Sequence, residues 1–141
     1  MVAYSFRERF IKPIQVGLSS VQLSFDPPPK RQTIRAIGKR RHARPSEILQ
    51  LYYAMRTKQC RSIGVARCTD VKNIRISIET NKVEIEEDIW REIRTRSALN
   101  QFARSDGFED WADMQAFWRK EHRGKRVGPF VGVMIEWEPI R

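Results

Sequence analysis

Runs in which apolar and polar residues alternate recur along the sequence, and a period of two is typical of β-strands with one buried face. The clearest runs are residues 47–54, 60–68, 74–79 and 130–137, with shorter ones at 33–35 and 83–85. Apolar residues recur at helical spacing in residues 7–17, 87–103 and 108–122. So many strands with helices between them, in 141 residues, predict one α+β domain spanning 1–141. We expect a small mixed sheet or open β-barrel with flanking helices.

The run at residues 60–68 places only small residues on one of its faces, which suits the tight interior of a small barrel. These residues are Cys60, Ser62, Gly64, Ala66 and Cys68. In an intact strand the two cysteines lie roughly 26 Å apart, too far for a disulfide, so we expect both to be small buried side chains. The sequence has no CxxC, HExxH or other Cys/His cluster, and we expect neither a metal nor a cofactor.

The net charge of +10 is concentrated in one third of the sequence. Residues 30–75 contain thirteen Lys or Arg and two acidic residues, a local charge of +11, whereas the rest of the chain sums to −1. Such a concentration is typical of a protein that binds a polyanion, and the alternative is an ordinary solvated basic surface. The residues expected to contact RNA are Arg31, Arg35, Lys39, Arg40, Arg41, His42, Arg44, Arg61 and Arg67.

The sequence contains no long apolar segment. Its first residues lack the apolar run of a signal peptide, and no stretch approaches the roughly 18 apolar residues that cross a bilayer. We therefore expect no membrane association and a cytoplasmic location.

The segment KRQTIR, residues 30–35, follows three consecutive prolines, residues 27–29. Because prolines force an extended backbone, they deliver Lys30 on a stiff segment. In a strand, Arg31, Thr33 and Arg35 share one face, and a hydroxyl between two guanidinium groups suits a phosphate or carboxylate. The alternative is a basic edge strand that prevents edge-to-edge pairing.

Four motifs in order carry a resemblance to a known family. They are the first helical segment ending at Gly17, KRQTIR, the DGF at residues 106–108, and the F-x-G-x-x-I-x-W at residues 130–137. Together they resemble the ASCH family of the PUA-like superfamily over nearly the whole chain. The resemblance implies a small PUA-like open β-barrel with flanking helices and a cleft suited to RNA or nucleotides. The loop at residues 18–29 departs from the family's pattern, because it is expanded.

The resemblance also implies three candidate catalytic residues. One branch of the family is similar to amidohydrolases that deacetylate acetylated cytidine with a Lys, a Thr and a Glu, and other members resemble ribonucleases or plain RNA binders. The matching positions are Lys30, Thr33 and Asp106. Like charge and burial would lower the pKa of Lys30 so that it deprotonates Thr33, while Asp106 orients the lysine or protonates the leaving amine. The same residues would alternatively contact a phosphate, a sugar and a base amine, and Asp106 would alternatively be only a helix cap.

Three functions are therefore open. The first is a module that binds RNA or a modified nucleotide in a cationic cleft, the second a hydrolase that uses Lys30, Thr33 and Asp106, and the third a basic adaptor or inhibitor of an acidic protein. His42 lies among arginines, where we expect a phosphate or stacking contact, and His122 lies at a helix end. Trp111 and Trp118 lie seven residues apart on one helical face, which favours the core over base stacking.

Overall fold

A computed structural model of the chain describes residues 2–19, 27–122 and 128–140. Within these ranges it is an α+β fold, as predicted, with one mixed sheet of seven strands and three α-helices. The strands are β1 (Val2–Phe6), β2 (Gln32–Ala36), β3 (Ile48–Tyr53), β4 (Arg61–Ser77), β5 (Lys82–Glu86), β6 (Trp90–Ile93) and β7 (Phe130–Pro139). The helices are α1 (Ile11–Leu18), which follows a 3-10 turn at Glu8–Phe10, α2 (Arg96–Ser105) and α3 (Trp111–Glu121).

The sheet is organised around β4. Its N-terminal half pairs with β3 and its C-terminal half with β5, while β7 runs antiparallel along much of its length. β1 adds to β3 in parallel, β6 adds to β5, and β2 adds to β7. No ladder joins β1 to β2 among the described strands, so the sheet is not closed into a barrel. One side chain crosses this gap: Arg35 Nη2 donates to the Ser5 carbonyl oxygen at 2.8 Å.

The expectation of separate strands at residues 60–68 and 74–79 is wrong, because both belong to β4, which is 17 residues long. Nothing between them breaks a strand, and β7 pairs with the intervening residues. The register of the pairing between β4 and β7 shifts between Cys68 and Asp70, and the strand continues past this irregularity.

The expected helix at residues 87–103 is also wrong in its first half. Residues 90–93 form β6, which pairs with β5 as a hairpin. The helix begins after Thr95, whose side chain caps it by accepting from the Ala98 amide at 3.2 Å. Ile89, one of the apolar residues whose spacing predicted the helix over 87–103, is 78% exposed in the hairpin turn. Strand pairing therefore overrides the helical spacing of the apolar residues.

Most of the expected core side chains are buried, including Trp111 and Trp118 of α3. Two expectations about burial are wrong. Cys60 is exposed because it lies in the turn before β4, whereas Cys68 is buried and both thiols are free. Val131, expected inward as one of the alternating apolar residues of the run at 130–137, is 57% exposed near the start of β7, although the next four residues of that strand are buried.

For the expectations about membrane helices, metal sites and the loop at 18–29, the structure gives information only on the described residues. No described helix is long and apolar enough to cross a membrane. The same residues contain no group of His, Cys, Asp or Glu side chains arranged to hold a metal ion. Of the loop expected at 18–29, residues 20–26 lie outside the described ranges, and Leu18 is the last residue of α1.

Candidate functional site

A cleft of about 780 Å³ opens where β1 and β2 lie near each other without pairing. Its lining includes Lys30, Thr33, Arg35 and Asp106. The structure thus brings the three candidate catalytic residues to one cleft, although residues 30 and 106 are 76 positions apart in the sequence.

Two glycines let Lys30 enter the cleft. Its amide donates to the Pro13 carbonyl oxygen at 2.9 Å, which fixes the chain after the three prolines against α1. At Gly17 a Cβ would lie 2.4 Å from the Lys30 carbonyl oxygen, so only glycine allows this approach. At Gly107, where φ is 96°, a Cβ would lie 2.9 Å from Lys30 Cδ. The Gly17 and DGF motifs therefore make room for the backbone and the side chain of one lysine.

The buried carboxylate of Asp106 is the partner of Lys30. Lys30 Nζ donates to the Asp106 carbonyl oxygen at 2.6 Å and to its Oδ1 at 3.3 Å. Gln32 Nε2 also donates to Oδ1 at 3.3 Å, whereas Oδ2 accepts no hydrogen bond from the described residues. The Asp106 side chain does not cap the next helix, because Asp110 caps α3 by accepting from the Asp113 amide; Asp106 is instead the C-cap residue of α2, through its backbone amide.

The buried Thr33 hydroxyl is held by Arg35. Arg35 Nε donates to Thr33 Oγ1 at 3.1 Å, and Arg35 Nη2 donates to the Ser5 carbonyl oxygen. The third nitrogen, Nη1, makes no hydrogen bond with the described residues. The guanidinium carbon lies 4.9 Å from the centre of the Phe6 ring, within cation–π range. No hydrogen bond joins Lys30 Nζ to Thr33 Oγ1 in the described part of the chain, so the base–nucleophile contact is not formed in this state.

Burial shifts the pKa of both members of the Lys30–Asp106 pair, whose side chains are 3% and 7% exposed. It lowers the pKa of Lys30; the Asp106 carboxylate opposes the shift and Arg35 adds to it. It raises the pKa of Asp106, and the opposing influences are Lys30, Gln32 and Arg35. The expected lowering of the Lys30 pKa is therefore found, with burial rather than like charge as its first cause. Each charge depends on the other for compensation.

Arg31 is directed away from the cleft. Its Nε donates to the Gly17 carbonyl oxygen at 2.8 Å, and its side chain is not among the cleft-lining groups. Gln32, given no role by the sequence analysis, is the buried residue that reaches Asp106. Of the three side chains expected on one face, only Thr33 and Arg35 line the cleft, because β2 begins at Gln32 and Arg31 lies before it.

The basic loop at residues 38–44 continues from Ala36, which lines the cleft. Lys39, Arg40 and Arg44 are exposed, as is Arg41. Arg41 is engaged, however: its two terminal nitrogens each lie 2.7 Å from an oxygen of Glu47. The hydrogen bonds from Arg41 and from the Arg44 amide lower the pKa of Glu47 to about 2.

His42 holds the basic loop in place with both ring nitrogens. Its Nε2 lies 2.8 Å from the Ala36 carbonyl oxygen and its Nδ1 lies 3.1 Å from the Tyr4 hydroxyl. A carbonyl requires Nε2 to be the donor, so the neutral ring accepts from Tyr4 at Nδ1. The same hydroxyl accepts from the Ala43 amide at 3.1 Å. His42 thus anchors the loop, and neither ring nitrogen is left for a phosphate in this arrangement.

The two predicted contacts on β4 are exposed. The Arg61 guanidinium lies 5.3 Å from the centre of the Tyr53 ring, and Tyr53 lines the cleft. Arg67 donates to the Ser46 carbonyl oxygen at 3.3 Å. Arg61 is therefore adjacent to the cleft, whereas Arg67 is not among its lining groups.

Sequence reasoning missed the aromatic wall of the cleft. The aromatic lining residues are Phe6, Phe10, Tyr53, Phe108, Phe117, Trp118, His122 and Phe130. Lys30 Nζ lies 4.9 Å from the centre of the Phe10 ring, and Phe10, Phe108 and Phe117 make edge or tilted contacts with one another. Helical spacing marks these rings only as core, so the one available signal was the Phe that follows Asp106-Gly107.

Comparison with known proteins gave no match, either to a family model or to a curated protein or a solved structure. The resemblance to the ASCH family therefore depends on the four motifs alone. Two of them, at Gly17 and at residues 106–108, have a structural role around Lys30. Its functional implications remain predictions.

Proposed function

We propose that the protein is an RNA- or nucleotide-binding domain of the ASCH type that holds a nucleobase in the cleft between β1 and β2. The observation that carries this proposal is the buried Lys30–Asp106 pair, with the half-buried Arg35 beside it, at an open, aromatic-walled cleft. Burying charged side chains is costly unless they are paired or hydrogen-bonded. A cleft that reaches such side chains allows a polar ligand to form hydrogen bonds with them.

The hydrogen-bonding groups that have no partner among the described residues suit the polar edge of a base. Arg35 Nη1 and the Thr33 hydroxyl hydrogen can donate, and Asp106 Oδ2 can accept. A carboxylate in this position repels a bare phosphate but accepts from a base amine. Aromatic side chains stack on bases of any sequence, and Tyr53 and Phe130 in the wall are only half-buried. The cleft therefore fits a base better than an isolated phosphate.

The exposed basic loop favours an RNA strand, rather than a free nucleoside, as the complete ligand. It begins two residues after Ala36 at the cleft, and its Lys39, Arg40 and Arg44 have no carboxylate partner among the described residues. Phosphates bind such side chains without sequence preference. An acidic protein would use the same loop but would not need the cleft. The proposed RNA ligand is consistent with a cytoplasmic location.

The same proposal includes a PUA-like barrel as the finer description of the sheet. Its support is the arrangement of β1 and β2, which approach closely enough for one arginine side chain to join them. A ligand-binding gap in a nearly closed small barrel resembles the arrangement that the ASCH family implies.

A hydrolase is the second candidate. The observation that favours it is a buried lysine with a lowered pKa in the same cleft as a threonine hydroxyl. Closure around a substrate would have to replace the contact between Thr33 and Arg35 by one between Thr33 and Lys30. Release of acetate from acetylated cytidine by the native protein, lost in Thr33→Val, supports this activity, and no release from either protein excludes it for this substrate.

Binding is tested by titrating the native protein and a Lys30→Met variant with ribonucleosides and with short single-stranded RNA. We expect Lys30→Met to weaken both. Lys12→Met is the matched control, because Lys12 is exposed on α1 and has no partner among the described residues. Equal affinities for Lys30→Met and Lys12→Met, in a folded protein, would contradict a ligand in this cleft.

A further inference from the structure

The turn between β3 and β4 forms part of the rim of the cleft. Ala54, Met55 and Thr57 line it, and Arg56 lies between them. Ala54 and Arg56 have φ values of 52° and 69°. Non-glycine residues seldom adopt positive φ, and such conformations persist where the surroundings impose them, often at ligand sites.

Hydrogen bonds stabilise the turn internally and connect it to β1. Thr57 Oγ1 donates to the Ala54 carbonyl oxygen at 2.7 Å and accepts from the Gln59 amide at 3.2 Å. The Met55 amide donates to Ser5 Oγ at 3.1 Å. Ser5 is the residue whose carbonyl accepts from Arg35 Nη2. One residue therefore links the turn to the guanidinium in the cleft, and the two are held in a fixed relation.

The turn carries cations without carboxylate partners. Arg56 and Lys58 are exposed, and neither makes an ion pair with any described residue. The neighbouring Arg61 lies on the ring of Tyr53 and likewise has no carboxylate partner in the described part of the chain. By contrast, Arg7 on the helical side of the cleft pairs with Glu121 at 2.9 Å.

The acidic lining of the cleft lies elsewhere. Besides Asp106, the lining carboxylates are Glu8 of the 3-10 turn and Glu121 of α3. The cleft therefore has an acidic helical side and a cationic rim at the β3–β4 turn. A ligand with a neutral base and an anionic group would place its anion at that rim.

We propose that residues 54–58, with Arg61, bind a phosphate group of the ligand, so that the cleft takes a nucleotide in preference to its nucleoside. This rests on the proposed nucleobase site, because the base would lie between the turn and Asp106. Arg56 and Lys58 supply the charge, and the hydrogen bonds of the turn fix its backbone before the ligand binds. The same anion chemistry is present in a free nucleotide and in a phosphate of an RNA strand.

The test compares ribonucleosides with their own 5′- and 3′-monophosphates by calorimetric titration of the native protein and of Arg56→Gln/Lys58→Gln. The native protein should bind at least one monophosphate about tenfold or more tightly than the nucleoside, as expected for charge-assisted hydrogen bonds. The double variant should lose that difference and keep the affinity for the nucleoside. Lys12→Gln/Arg96→Gln removes two exposed charges elsewhere and should retain the difference.

The outcomes separate the two proposals. Nucleoside binding without any preference for a monophosphate, or an unchanged preference in Arg56→Gln/Lys58→Gln, overturns the phosphate site and leaves the base site standing. Absence of binding by nucleosides, nucleotides and RNA overturns the base site and the phosphate site with it. Inorganic phosphate is titrated alongside: a bare anion should bind weakly, and an affinity equal to that of the monophosphate would show that the base makes no contribution. A short RNA that shows the same loss in the double variant assigns the contact to a strand phosphate.

Discussion

Replacing both members of the Lys30–Asp106 pair should cost less than the sum of the two single replacements. The two side chains are buried, and Nζ lies 3.3 Å from Oδ1. At an effective dielectric constant of about 20, the attraction at this distance is about 5 kcal/mol. Lys30→Met leaves a buried carboxylate without its counter-charge, a change that typically costs about 3–5 kcal/mol.

Asp106→Asn should cost less than Lys30→Met. The amide oxygen can still accept from Lys30 and from Gln32, and the backbone carbonyl of residue 106 keeps its hydrogen bond from Lys30. The double variant buries neither charge, so its cost should fall short of the sum of the two single costs by about 1–3 kcal/mol. Urea unfolding at neutral pH measures all four free energies. An exposed pair, Arg119→Met with Glu79→Gln, is the control and should couple by less than about 1 kcal/mol.

The pH dependence of the free energy of unfolding shows which charge each single variant leaves without its partner. In Lys30→Met the pKa of Asp106 loses its main opposing influence and rises further above its unfolded value. The folded state then binds more protons than the unfolded state, so the variant should be relatively more stable in acid and lose stability as the pH rises through that pKa. In Asp106→Asn the pKa of Lys30 is lowered further, and relative stability should increase as the pH rises toward the unfolded lysine value. Additive single costs, or no such pH dependence, would refute a charged buried pair.

Three further outcomes follow from the same contacts. Gly107→Ala should destabilise the fold by about 1–3 kcal/mol, because its φ is 96° and a Cβ would meet Lys30 and Phe10, whereas Gly38→Ala, with open space around it, should have little effect in the same unfolding measurement. Affinity for single-stranded RNA should fall with salt at a slope of about −2 to −3.5 in log K against log salt, from roughly three to five phosphate contacts, and a flat response would exclude backbone binding. Arg40→Ala should flatten that slope for all sequences by about 0.7, and Arg41→Ala by less because Glu47 engages it; loss on one sequence alone would indicate base contacts.

The alternation of apolar residues was sufficient to predict the fold class and most strands. It failed where pairing decided the outcome: β6 has helical spacing but joins β5, and β4 continues because β7 pairs with its middle. Neither result depends on local preference, so neither can be seen in a single segment. Exposure at Cys60 and Val131 likewise reflects where a strand begins.

The candidate site was predictable only in part. Lys30, Thr33 and Asp106 were chosen by resemblance, and the structure places all three at one cleft. The contribution of Gln32 was hidden, because a glutamine in a basic segment has no signature of its own. The rim turn was hidden as well, since positive φ at Ala54 and Arg56 contradicts the usual preference of those residues.

A crystal structure with a bound ribonucleotide or short RNA tests the proposed base site most directly. We expect the base between the aromatic wall and Asp106, with Asp106 Oδ2 and Thr33 Oγ1 within about 3.2 Å of polar atoms of the base. We also expect a phosphate at the turn of residues 54–58. RNA bound only along the basic loop, with no base in the cleft, would contradict the proposed function.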